Sequence, residues 1–85
     1  MRHTIEDFRK SRVMMKAEDW FYSKEYGLLD NEGDMLAVYG NCYYIEIIKG
    51  GIYMVTVLNK CKTFTLLEVA EQFLWDEFVE DEFNN

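Results

Sequence analysis

The sequence predicts an α+β fold in which an N-terminal helix precedes a three-stranded antiparallel β-meander and an acidic helix closes the chain. Three observations lead there. Residues 4–23 contain neither Gly nor Pro, two runs rich in β-branched and aromatic residues meet at Gly50-Gly51, and residues 66–83 keep an unbroken helical pattern dense in carboxylates.

The first helix is expected from about residue 4 to 23, opened by the capping pair Thr4-x-x-Asp7, with Phe8, Met15 and Tyr22 at heptad spacing on its core side. The turn clusters "DNEGD" at 30–34 and "GN" at 40–41 then bracket "MLAVY" as a short strand. "EYGLL" at 25–29 would supply a fourth strand if it pairs with the meander. The run "CYYIEIIKGGIYMVTVLN" reads as a β-hairpin, and its loop length decides which side chains share a face. A three-residue loop, Lys49-Gly50-Gly51, with Gly51 in the left-handed conformation, sets Ile48 opposite Ile52. Tyr43, Ile45, Ile47, Tyr53, Val55 and Val57 then form one wholly apolar face. The other face carries Tyr44, Glu46, Ile48, Met54, Thr56 and Leu58, which calls for only partial cover.

The last helix is expected from Leu66 to about Phe83, opened by a capping box at Thr65-x-x-Glu68. At 100° per residue, Leu67, Val69, Ala70, Phe73, Leu74 and Phe78 share one broad sector, the expected core face. Trp75, Val79 and Phe83 form a second apolar stripe on the opposite side, flanked by Glu68, Glu71, Asp76 and Glu82. Glu77, Glu80 and Asp81 fall back into the core sector, so the last turns should face water. Acids there oppose the negative end of the helix dipole and cost a few tenths of a kcal/mol each. Local stability therefore does not explain this ending.

Composition bounds what such a chain does. Eighty-five residues suffice for one domain, 1–85, which would bury about 60–65% of its unfolded surface. At 49% hydrophobic and 29% charged the chain is too apolar for a disordered tail and too polar for a membrane protein. No apolar run approaches the roughly 18 residues of a membrane span. The start "MRHTIEDFRK" lacks the apolar centre of a secretory signal, so the expected compartment is the cytoplasm, the host's if a phage encodes the chain.

Recognised chemistry is missing. Cys42 and Cys61 form no C-x-x-C pair and are expected as free thiols serving as small apolar residues; with His3 the only histidine, no metal site is implied. Neither His3 nor Cys42 has a triad partner, and neighbouring acids such as Glu18-Asp19 diverge on a helix. The stretch "DNEGDMLAVYGN" alternates acids like a calcium loop, but its glycine and closing acid are misplaced, and a hairpin turn accounts for it. The expectation is a non-enzyme without a cofactor.

The charge layout is the informative feature. The net charge of −7 divides into a basic head, where five cations in residues 1–16 face two acids, and an acidic foot, where residues 63–85 hold seven acids and no cation. Over residues 68–82 that is roughly one carboxylate per 3 Å of helix axis, comparable to the ~3.4 Å phosphate spacing of one DNA strand. Two readings compete. Either this is a solvated acidic face, with Trp75 an ordinary exposed residue or with Trp75 and Val79 packed on the first helix, or Trp75 and Val79 are hot-spot anchors rimmed by Glu68, Glu71, Asp76, Glu80 and Glu82. On the first helix, Arg9, Arg12 and Lys16 line up at i, i+3 and i+7. They suit either phosphate contacts or neutralisation of acids inside the fold or in a dimer partner, and the pI of about 4.5 argues against a nucleic-acid binder.

In size, charge and α+β layout the chain resembles the small acidic inhibitors of phages and mobile elements: anti-CRISPR proteins, DNA mimics and nuclease-immunity proteins. That resemblance implies a protein target with a basic nucleic-acid groove, occluded sterically and electrostatically, with no direct nucleic-acid or membrane contact. The alternatives are a structural or regulatory homodimer, built on the mixed sheet face or the Trp75 stripe, and a nucleic-acid binder acting through Arg9, Arg12 and Lys16.

Overall fold

The computed structural model describes residues 2–20, 35–40, 43–57 and 60–84. They form a five-stranded antiparallel sheet in sequential order, with a short N-terminal helix and a longer C-terminal helix packed on one face. The fold class is as expected, but the meander has five strands instead of three or four.

The first difference lies in residues 11–16. Helix α1 spans only Ile5–Lys10. The Thr4 N–H donates to Asp7 Oδ2 at 2.9 Å, as the capping pair requires. This bond, followed by the charge of His3, holds the Asp7 carboxyl below its ordinary range. Ser11 then ends the helix, its hydroxyl and its N–H both donating to the Phe8 carbonyl. Strand β1, Arg12–Lys16, follows directly and pairs with β2, Met35–Tyr39, through Arg12↔Tyr39 to Lys16↔Met35. Helix propensity is a weak prior, and a ladder along β2 outweighs it for a run containing Val13. A 3₁₀ turn, Ala17–Asp19, comes next; residues 21–23 of the expected helix and the candidate strand at 25–29 lie outside the described residues.

Strands β3, Tyr43–Ile48, and β4, Ile52–Val57, form the expected hairpin with Ile48 opposite Ile52. Gly50 and Gly51 have φ of 95° and 81°, which side-chain-bearing residues rarely adopt, so both glycines are needed for this loop. Strand β5, Lys60–Phe64, pairs antiparallel with β4. It carries no alternating apolar signal because Lys60, Cys61, Lys62 and Thr63 are all exposed. Cys61 is thus a free surface thiol and not an apolar filler, while Cys42 lies outside the described residues.

Helix α2 is continuous in three parts: Leu67–Leu74 is α-helical, Trp75–Val79 is a π-helical turn, and Glu80–Phe83 is α-helical again. Leu66 occupies the N-cap position and no side-chain cap bond forms, so the capping box expected at Thr65 and Glu68 does not form.

Pairing register puts Tyr43, Ile45, Ile47, Tyr53, Val55 and Val57 on the face under the two helices, as the three-residue loop predicts. Phe8 sits at the centre of this core, stacked on Tyr39 at 4.3 Å between centroids and flanked by Trp75 at 5.7 Å. The opposite face has a smaller cluster of Leu36 and Val38 under Ala17 and Trp20, with Tyr44 against Trp20 at 4.8 Å. That is the partial cover the mixed face calls for.

Trp75 is 4% exposed and Val79 fully buried, both within the main core. Trp75→Ala is expected to cost about 3–5 kcal/mol in urea unfolding, as large-to-small core changes do. Thr56→Ala, on the exposed part of the opposite face, should stay within ~0.5 kcal/mol.

Candidate functional site

The acidic helix is positioned by one of its own acids. Glu71 is fully buried and receives three donors: Arg9 Nε at 3.2 Å on Oε1, and Arg12 Nη1 at 3.0 Å and the Tyr39 hydroxyl at 2.6 Å on Oε2. A carboxylate taken out of water must be paired and hydrogen-bonded, and here two guanidiniums and a phenol supply both. Arg9 also donates to Glu6 at 3.0 Å. Burial, followed by the bond to Glu71 and its charge, pushes the Tyr39 phenol well above its ordinary value of 10.0, so it stays protonated and donating. On the other face Glu46 is also buried, and it reinforces the upward push that burial gives the Tyr44 phenol.

Arg9 and Arg12 thus pair with an acid within the fold, one of the uses open to them from sequence. The expected straight stripe with Lys16 does not exist: α1 ends at Lys10, Arg12 opens β1 and Lys16 closes it, about 13 Å further along the strand.

The hub also changes which side of α2 faces inward. Ala70, Glu71, Leu74, Trp75 and Val79 are buried, whereas Val69, expected in the core, is 46% exposed and Leu66 is 61% exposed. Trp75 and Val79 of the second apolar stripe are therefore internal, while the Phe83 side chain lies outside the described residues. Two physical causes act together. Glu71 carries a charge, so counting apolar residues assigned it outward, although its three donors pull it in. The π turn then closes on i→i+5 bonding and rotates the chain less per residue, which brings Val79 back beneath the buried face.

What remains outside is charge. Glu68, Asp76, Glu77, Asp81 and Glu82 are exposed and Glu80 is half-buried, so six carboxylates of α2 point outward or lie at its margin. Gln72 donates to Asp76 at 2.9 Å and the Tyr43 hydroxyl donates to Glu82 at 2.7 Å, orienting both without neutralising either. Arg2, at 4.0 Å from Glu80 with a 74% exposed side chain, is a weak counter-charge. The helix end is held by Asn84, whose side chain accepts from the His3 N–H and donates to the His3 carbonyl. Among the described residues no group of His, Cys, Asp and Glu is arranged to hold a metal ion, and no helix is long and apolar enough to cross a membrane.

No protein-family model matches the chain, and comparison with curated proteins and with solved structures gives no match.

Glu71→Gln should lower unfolding free energy by roughly 2–3 kcal/mol, the low end for breaking a buried ion pair because both arginines can reach water. Tyr39→Phe, which removes one bond to a charged acceptor, should cost roughly 1.5–2 kcal/mol. Above pH 10.0 the unfolded chain releases the Tyr39 proton while the folded one retains it, so stability falls as pH rises past that point. Urea midpoints followed from neutral to alkaline pH should show a shallower decline for Tyr39→Phe than for wild type.

Proposed function

We propose that the protein is a non-enzymatic interaction module whose acidic helix occupies a basic, nucleic-acid-binding surface on a target protein. The supporting observation is the sorting of charge on α2. Glu71, paired with two arginines, faces in, while five of the other six carboxylates are exposed and Glu80 is half-buried near the exposed Arg2. Six charges over residues 68–82 correspond to roughly one per 3.5 Å of helix axis, still close to the phosphate spacing of a nucleic-acid strand.

The burial of Trp75 and Val79 alters how such a module would bind. With Trp75 and Val79 internal, attraction rests on Glu68, Asp76, Glu80 and Glu82 together with Glu77 and Asp81, and it acts mainly through association rate and charge matching. Binding should weaken steeply with salt, because interactions between exposed charges are screened within about 10 Å at 0.1 M ionic strength. An inhibitor of the anti-CRISPR, DNA-mimic or nuclease-immunity kind, encoded by a phage or mobile element, is the biological role this reading implies.

The test is capture from nuclease-treated lysate on immobilised protein, comparing wild type with a Glu68→Lys, Asp76→Lys, Asp81→Lys variant at positions that are all exposed. Wild type alone should retain a basic nucleic-acid-processing protein that elutes as salt rises. Equal retention by the variant overturns the reading.

A further inference from the structure

We propose that β5 is a docking edge for an extended acidic segment of a partner protein, which adds as a sixth strand and places an aliphatic side chain in the groove at the end of β5. This surface is separate from the acidic face of α2 and does not depend on its role.

Charge supplies the first argument. Residues 47–67 hold three lysines and no acid, in a chain whose net charge is −7. Two of those lysines, Lys60 and Lys62, lie exposed on β5, and their register opposite Val57 and Val55 puts both on the helix-covered side of the sheet. The Lys62 ammonium rests 5.2 Å from the centre of the Phe73 ring, which holds it beside the edge.

Backbone supplies the second. All five residues of β5 pair with β4, and among the described residues no strand pairs with its other side. Such a row of main-chain donors and acceptors takes up an extended peptide readily. A second copy of β5 fits poorly, because antiparallel pairing of two such strands gathers four lysines along one seam, and like charges across a ladder repel. An acidic strand turns that repulsion into attraction. The segment proposed is one of another protein, since the largest run of acids in this chain, seven of sixteen, is already folded into α2.

Shape supplies the third. Where β5 runs into α2, a groove of about 360 Å³ opens between Ile52, Thr63, Phe64, Thr65, Leu66 and Val69. Ile52, Leu66 and Val69 are 37%, 61% and 46% exposed, and α2 leaves Leu66 and Val69 uncovered because its buried face is turned toward Glu71. The groove suits one or two aliphatic side chains. Antiparallel addition would put an apolar residue first, near Leu66, and acids at alternate later positions, across Lys62 and then Lys60.

The probe is the fluorescein-labelled peptide Leu-Thr-Val-Thr-Glu-Thr-Glu, compared by anisotropy with its counterpart carrying Lys for Glu, and mapped by amide resonances of the full chain. The acidic peptide should bind and shift resonances along β5, and the lysine peptide should not. Leu66→Ser should weaken binding about tenfold by removing an aliphatic contact, and Lys62→Glu should reverse the preference between the peptides. Both variants should remain folded at the binding temperature, since both positions are exposed and Ser at the N-cap position of Leu66 favours the helix. Absence of acidic-peptide binding, equal binding of the two peptides, insensitivity to Leu66→Ser, or shifts confined to α2 would each overturn the proposal.

Discussion

The buried carboxylate of Glu71 is the constraint on which the arrangement of the molecule depends. Its donors come from α1, β1 and β2, and it comes from α2, so one side chain ties together four elements spread from residue 9 to residue 71. Hydrophobic packing alone would allow α2 to roll on the sheet, since its apolar residues nearly encircle it. A buried charge does not allow that, because any rotation separating Glu71 from Arg9, Arg12 and Tyr39 leaves a carboxylate without water or partner. The hub thus acts as a register device. Phe8 reinforces it by stacking on Tyr39 and lying against Trp75, so the aromatic core and the polar hub meet at Tyr39.

The outer surface follows from that orientation. With Glu71 and Trp75 inward, Glu68, Asp76, Glu77, Asp81 and Glu82 face solvent, and Leu66 and Val69 are left uncovered at the start of the helix. The π turn carries the rotation through to Val79, and the clasp between Asn84 and His3 fastens the end of α2 to the start of the chain. Two surfaces of opposite character result. One is the acidic outside of α2, and the other is the lysine-bearing edge of β5 with its apolar groove. The first is the surface proposed to occupy a basic groove, and the second is the edge proposed to take up an acidic strand.

Much of this was legible in the sequence. Gly50-Gly51 between two β-rich runs specifies the hairpin loop and with it the division of β3 and β4 into a core face and a mixed face, because strand alternation is a short-range rule that a turn sets in register. The acid content of residues 68–82 and the start of α2 were equally plain, since helical pattern is local, whereas the acids in the core sector left open whether the helix ended near Phe78 or ran on. Strands β1 and β5 were not. Arg12–Lys16 has no strong strand pattern of its own and Lys60–Phe64 is exposed along most of its length, so each is a strand only because a neighbouring strand offers it a ladder.

By itself the sequence determined the α+β class, the hairpin register and the concentration of charge at the C-terminal end, all of which depend on interactions between near neighbours in the chain. Tertiary structure alone decided which of those charges faces inward. Glu71 is one carboxylate among seven in residues 63–85 and carries no local mark that sets it apart. Its selection requires Arg9, Arg12 and Tyr39 to converge from distant parts of the chain, and only that convergence offsets the desolvation of its charge, turns Trp75 into the core and leaves the other acids outside.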